Sequence, residues 1–221
     1  ARLEQEFPRL DELKVNASRS LYQVSIKPKQ GRSDGSIDVE FTGIGSDLLF
    51  RYELIEEVIN SDTPYPKGDL QVRHSDSTTG PITIRNNCTL EAWVATDEPD
   101  SGWSAMPRSK RSFHFNKATA RPITLSVPPN ERYNEGGAFT LVDGITAQEK
   151  RVNTEWLAWK EGVTITVDLG SVQDISRISI GALHETYSWI HAPKVVEFLV
   201  STDGKNYTSA GKIGRASCRE R

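Results

Sequence analysis

Trp156, Trp159, His184, Tyr187, Trp189 and His191 crowd the last third of the chain. An aromatic face stacks on a flat, partly apolar ligand such as a sugar ring, while a few polar groups fix its orientation. A tryptophan in a small β domain is also a frequent core residue. Trp156 and Trp189, the latter next to Ile190 and ahead of Pro193, read as core. Trp159, His184 and Tyr187 are the better candidates for contact with a sugar. Other reactive groups are sparse. Adjacent carboxylates occur at Asp11-Glu12, on the polar side of an amphipathic segment, and at Asp97-Glu98, in a proline-containing stretch; both read as solvated surface. Cys88 has no histidine or aspartate at a nucleophile spacing and reads as a buried small hydrophobe. Neither His74 nor His114 has metal-ligand spacing, Trp93 reads as core within a strand, and Trp103 reads as a loop cap.

The elements that must hold these residues follow from periodicity. Leu3, Phe7, Leu10 and Leu13 recur at helical spacing, so residues 1–15 read as an amphipathic helix with Pro8 in its first turn. A helix that short needs a packing partner. From Tyr22 the period becomes two. Strands are expected at Tyr22–Ile26, Ile37–Phe41, Leu49–Leu54, Pro81–Ile84 and Thr89–Val94, with turns at 30–35 and 75–81. A connector at 116–125 leads to further strands at Phe139–Val142, Val163–Leu169, Ile175–Ile180 and Val195–Val200. Turns are marked by Asp143-Gly144, Glu161-Gly162 and Asp203-Gly204.

Composition narrows the function classes. The chain has 221 residues, 27 basic and 30 acidic, for a formal charge of −3 without a basic block. Nucleic acid is therefore not an expected partner. No apolar run approaches the ~20 residues of a membrane span. The last nine residues, Ile213–Arg221, are identical to one reading frame of a common sequencing-adapter oligonucleotide and read as translated adapter. Setting them aside removes three Arg and one Glu, leaving 24 − 29 = −5. Cys218 goes with them, so Cys88 has no native disulfide partner.

The order of segments resembles the C-terminal part of the family 20 glycoside hydrolases, the β-N-acetylhexosaminidases of bacteria. Phe7-Pro-Arg-Leu followed by Val15-Asn-Ala-Ser-Arg-Ser-Leu-Tyr22 is similar to that family's last barrel helix and exit segment, with Ala17 where an aromatic is common. Arg51-Tyr-Glu-Leu, Gly80-Pro-Ile-Thr-Ile and Thr89-Leu-Glu-Ala resemble the immunoglobulin-like module that often follows, although its Asp-Gly turn is missing. Within residues 133–212, Gly137–Gly144, Thr166–Gly170, Ser188–Pro193 and Ser201–Tyr207 resemble a discoidin-like (coagulation-factor type C) domain.

The resemblance implies an all-β chain of two β-sandwich modules preceded by one orphan α-helix from a missing catalytic barrel. Residues 1–22 would be the end of the barrel, 23–117 an immunoglobulin-like sandwich, 118–212 an incomplete discoidin-like jelly roll, and 213–221 the adapter. It implies no catalytic residue here. The Glu that protonates the leaving oxygen, and the Asp that orients the substrate's 2-acetamido nucleophile, would lie upstream of Ala1. No cofactor is implied as required. Discoidin-like domains often hold a structural calcium, which would place oxygen ligands at Asp143, Gly144 and Thr146; the alternative is that Asp143-Gly144 simply makes a tight turn. The implied partners are glycans ending in N-acetylhexosamine, met by the parent enzyme in the periplasm, at the outer surface or outside the cell. For a bacterial protein the sequons at Asn16, Asn87 and Asn206 read as chance. Two other parents fit similar modules: a stand-alone carbohydrate-binding or adhesion protein, and an α-fucosidase. The exit segment Phe7–Tyr22 favours the hexosaminidase. A domain cut short near Lys212 would leave the edge at Val195–Val200 open and the adapter tail disordered.

Overall fold

Alternating apolar and polar residues put every second side chain on one face of a strand, and that rule builds most of this molecule. The computed structural model describes residues 23–58, 70–95, 106–148 and 151–214. The expected N-terminal helix and exit segment, both Asp-Glu pairs, Trp103 and Cys218 lie outside them. The fold is all-β with antiparallel sheets. The chain divides into two units, the first running to Arg121 and taking in Ala138–Thr146, the second comprising Pro122–Gly137 and the chain from Ala147 onward.

In the first unit, β1 (Ser25–Gly31), β2 (Ile37–Thr42) and β5 (Ile82–Ile84) form a sheet in the order β1-β2-β5. A second sheet has the order β4-β3-β6-β7, from β3 (Phe50–Val58), β4 (Leu70–Thr78), β6 (Cys88–Val94) and β7 (Ser109–Phe113). Both sheets feed one core. Ile26, Ile37, Val39, Phe41 and Ile84 come from the first, and Phe50, Cys88, Leu90, Ala92, Val94 and Phe113 from the second. The two are also tied by Ser109 Oγ, which donates to the Val24 carbonyl.

This unit differs from the sequence expectation in several places: β1 runs past Ile26 into the segment read as a turn at 30–35, and β7 is a strand where none is expected. Strand β4 covers His74 and most of the segment read as a turn at 75–81. It is a polar edge strand, held in register with β3 from Phe50↔Thr78 to Val58↔Leu70. Its backbone hydrogen bonds, rather than an apolar stripe, keep it in the sheet. Trp93 is not core. In β6 the even positions from Cys88 to Val94 point inward, so Trp93 shares the outer face with Thr89 and Glu91. There the Arg108 guanidinium lies 4.0 Å from the centre of its ring, a cation–π arrangement. Arg108 also bridges Glu53 and Glu91, at 3.4 and 3.5 Å. Those two carboxylates sit opposite one another across β3 and β6, where like charges repel unless neutralised.

Polar groups on the other sheet are likewise accounted for. Buried Asp38 accepts bonds from Arg32 Nε at 2.7 Å, Thr83 Oγ1 at 2.9 Å and Gln30 Nε2 at 3.2 Å. The Arg32 bond is the largest of the influences that hold its carboxyl below the usual range. Asp34, capped by Ser36 and met by Arg85, is lowered to about 2.

The segment 138–146, read as part of the later module, joins the first unit. Gly137–Leu141 is a 3₁₀ helix rather than the expected strand over Phe139–Val142. Phe139 and Ile145 pack on the core. Ala120 N–H donates to the Val142 carbonyl at 2.9 Å. Gly31 lets this connector come close, since a Cβ there would meet the Ala120 carbonyl oxygen at 2.5 Å.

In the second unit, β8 (Ile123–Leu125) pairs with β9 (Ile165–Val167), the latter inside the strand expected over Val163–Leu169. A one-turn helix α1 (Val152–Glu155) precedes Trp156. The run Ile175–Ile180, expected as a strand, has irregular backbone, and Ile175, Ile178 and Ile180 are exposed. Strand β10 (Val195–Val200) pairs only with β11 (Thr208–Gly214) among the described residues. A two-stranded ribbon is marginal on its own, and Val195, Leu199 and Ile213 are exposed on this one. Ile213 and Gly214 pair with Val196 and Val195, so these two residues of the segment set aside as adapter are ordered in a strand. The Asp203-Gly204 turn forms as expected. Asp203 accepts from the backbone N–H groups of Asn206 and Lys205, at 2.8 Å each, and these bonds hold its carboxyl far below the usual range.

Candidate functional site

The sugar-contact candidates divide between two places in the second unit. His184 and Tyr187 belong to a short hairpin loop. An antiparallel bridge joins Glu185 and Ile190, whose N–H and carbonyl groups exchange bonds of 2.9 and 3.0 Å. Between them Thr186–Ser188 makes one 3₁₀ turn. Trp189 closes it in the left-handed region, at φ 57° and ψ 27°, with its N–H on the Thr186 carbonyl at 3.1 Å. A four-residue loop of this kind is a standard way to reverse a β ribbon. It projects two aromatic rings: Tyr187 is 96% exposed and Trp189 86%.

The expectation that Trp189 is core is therefore corrected. The left-handed backbone at the loop end turns the indole outward, against the packed position that its place beside Ile190 predicts. Alternation in the flanking segment could not reveal this, because the loop breaks the alternation. Trp156 is half-buried, with its indole N–H donating to the Gln148 carbonyl at 2.9 Å. Trp159 is also half-buried, and its N–H is bound to the Val127 carbonyl at 3.0 Å. That bond anchors Trp159 to a different segment from the loop, so any sugar contact it makes would use a ring already pinned along one edge.

His191 belongs to the aromatic-rich segment but not to the preferred sugar contacts. It faces His184 across the base of the loop, with ring centres 5.8 Å apart and planes tilted by 45°. His184 Nδ1 accepts a long bond of 3.4 Å from the Ala192 N–H.

No family model matches this sequence, and no curated protein is significantly similar to it.

The proposed calcium ligands lie in the first unit. Asp143 is buried, and its Oδ1 accepts from the Ile145 N–H at 2.8 Å. Gly144, at φ +76°, gives its carbonyl to the His114 N–H at 2.7 Å. A Cβ at Gly144 would press on His114, Ile37 and Thr119 at 3.3–3.4 Å. Thr146 is exposed. This is the tight turn, built against the core. Calcium takes six to eight oxygens, and these three residues would supply a minority of them. Among the described residues no three His, Cys, Asp or Glu side chains converge. Cys88 is buried, and burial, with Glu56 adding to it, pushes its thiol up to about 12. A thiol in that state is inert as a nucleophile.

Proposed function

We propose that this chain is a non-catalytic accessory region of a secreted bacterial β-N-acetylhexosaminidase. In this reading the first unit, taken as the immunoglobulin-like module, is a spacer, and the second, taken as a discoidin-like module, binds carbohydrate. The observation that carries it is the loop Glu185–Ile190, which holds Tyr187 and Trp189 almost fully in solvent. Large rings so placed mark contact surfaces rather than cores. Among the described residues they are the most exposed of the large hydrophobic side chains, ahead of Val172 at 73%. Closure of the loop by backbone bonds gives the rings a fixed mounting, which lowers the ordering cost of binding. His184 beside the loop supplies a polar group for sugar hydroxyls, and the resemblance to family 20 enzymes supplies the class of glycan, one ending in N-acetylhexosamine.

Calorimetric titration of the full chain with β-linked N-acetylglucosamine oligomers tests this. Saturable binding is expected, weakened at least about tenfold, or 1.4 kcal/mol, by Tyr187→Ala, with the melting temperature unchanged. Absence of binding to these and to any glycan on an array would reduce the second unit to a spacer.

A further inference from the structure

We propose that His184 and His191 form a two-histidine site for a borderline divalent metal of the zinc, nickel and copper class. The position of the pair follows from the hairpin. Glu185 and Ile190 exchange both of their backbone hydrogen bonds, which makes them a hydrogen-bonded pair. The residues next to them, His184 and His191, then take the neighbouring non-hydrogen-bonded place, where facing side chains come closest.

The spacing suits a shared ion. A metal about 2.0–2.1 Å from one nitrogen of each imidazole lies about 3.2 Å from each ring centre, so the centres of two ligating rings are about 4.5 Å apart at a 90° ligand angle, about 5.2 Å at the tetrahedral angle and about 6.4 Å when opposite. The observed separation is 5.8 Å. The Nδ1 lone pair of His184 is directed across the hairpin, because it accepts from the amide of Ala192, the residue after His191. At 3.4 Å that bond is long for N–H···N and therefore weak, and a metal at Nδ1 would replace it. Both histidines are exposed, so an ion reaches them without opening the fold. Two imidazoles select zinc, nickel and copper over calcium and magnesium, which take oxygen ligands. They leave coordination positions for water or an exogenous ligand. His184 also serves the sugar-binding proposal, whereas His191 belongs to this site alone, so the His191→Gln variant tests the metal site separately.

The test is a titration of the full chain with Zn²⁺ and Ni²⁺ by calorimetry, with Ca²⁺ alongside. One equivalent of Zn²⁺ or Ni²⁺ is expected to bind and Ca²⁺ to leave that equivalent unchanged. His184→Gln and His191→Gln should each weaken it at least about tenfold, while a His74→Gln/His114→Gln/Cys218→Ser variant keeps it. Substoichiometric Cu²⁺ provides a readout without substitution, since it should broaden the ring proton resonances of His184 and His191 before those of His74 and His114. Absence of a saturable equivalent, its survival in the His184→Gln/His191→Gln double variant, or broadening first at the other histidines would overturn the assignment.

Discussion

Replacing Trp189 with glycine separates the two roles open to that indole. With the residue 86% exposed, only about 35 Å² of a tryptophan's roughly 250 Å² is covered, worth about 0.9 kcal/mol at 25 cal/mol/Å². Against that loss stands the left-handed backbone at φ 57°, which costs a residue with a Cβ about 1–2 kcal/mol and glycine nothing. Glycine's freer unfolded chain returns about 0.5–1 kcal/mol to the debit side. The three contributions nearly cancel, so Trp189→Gly should melt within about 1 kcal/mol of the parent, a shift below about 8 °C for a unit of this size. Glycan binding, in contrast, should fall at least about tenfold. Thermal unfolding by circular dichroism, paired with the calorimetric titration, reads both. Truncating a packed tryptophan costs about 3–5 kcal/mol. A loss of that size would mean the ring is core and would remove the basis for a binding loop.

Two further outcomes concern the first unit. Asp38→Ala removes an acceptor bonded to Arg32, Thr83 and Gln30; because Arg32 and Gln30 regain water, the cost at pH 7 should be about 1.5–3 kcal/mol. The Asp38 carboxyl is lowered in the fold. Its contribution is therefore present above the unfolded value near 3.9 and is lost as pH falls through the folded one. Parent and variant melts should converge as pH falls through the folded value, and a gap independent of pH would refute the charge-assisted network. In a Cys218→Ser background, Cys88 should resist Ellman's reagent at pH 8 until the chain is unfolded, since burial pushes its thiol up to about 12. The unfolded thiol ionises near 8.5, so stability from this group is lost as pH rises from there toward the folded value. Rapid labelling of folded chain would place Cys88 at the surface.

Much of the first unit was legible because a half-buried strand writes its face into the chain. Ile37–Phe41 and Thr89–Val94 alternate, and β2 and β6 follow them closely. The same alternation already assigned Trp93 to the outer face with Glu91, and its aromatic character obscured that parity. Local pattern also marked the turns at Asp143-Gly144 and Asp203-Gly204, where only short-range backbone bonds are needed. Strand β4 was illegible. An edge strand is held by backbone bonds to its neighbour, and those leave no apolar signature.

The amino-acid sequence by itself determined the all-β class and the inward positions of the core strands. Each depends on residue type and period, which are properties of the chain alone. Tertiary structure decided what depends on residues distant in sequence or on a single backbone angle. It carried 138–146 back onto the first unit, where Phe139 and Ile145 find the core. It pinned the Trp159 indole to the Val127 carbonyl. It also brought His184 and His191 face to face across a loop whose left-handed last residue turns Trp189 into solvent. Side-chain type states what a residue can bind, but only the folded backbone states what stands opposite it.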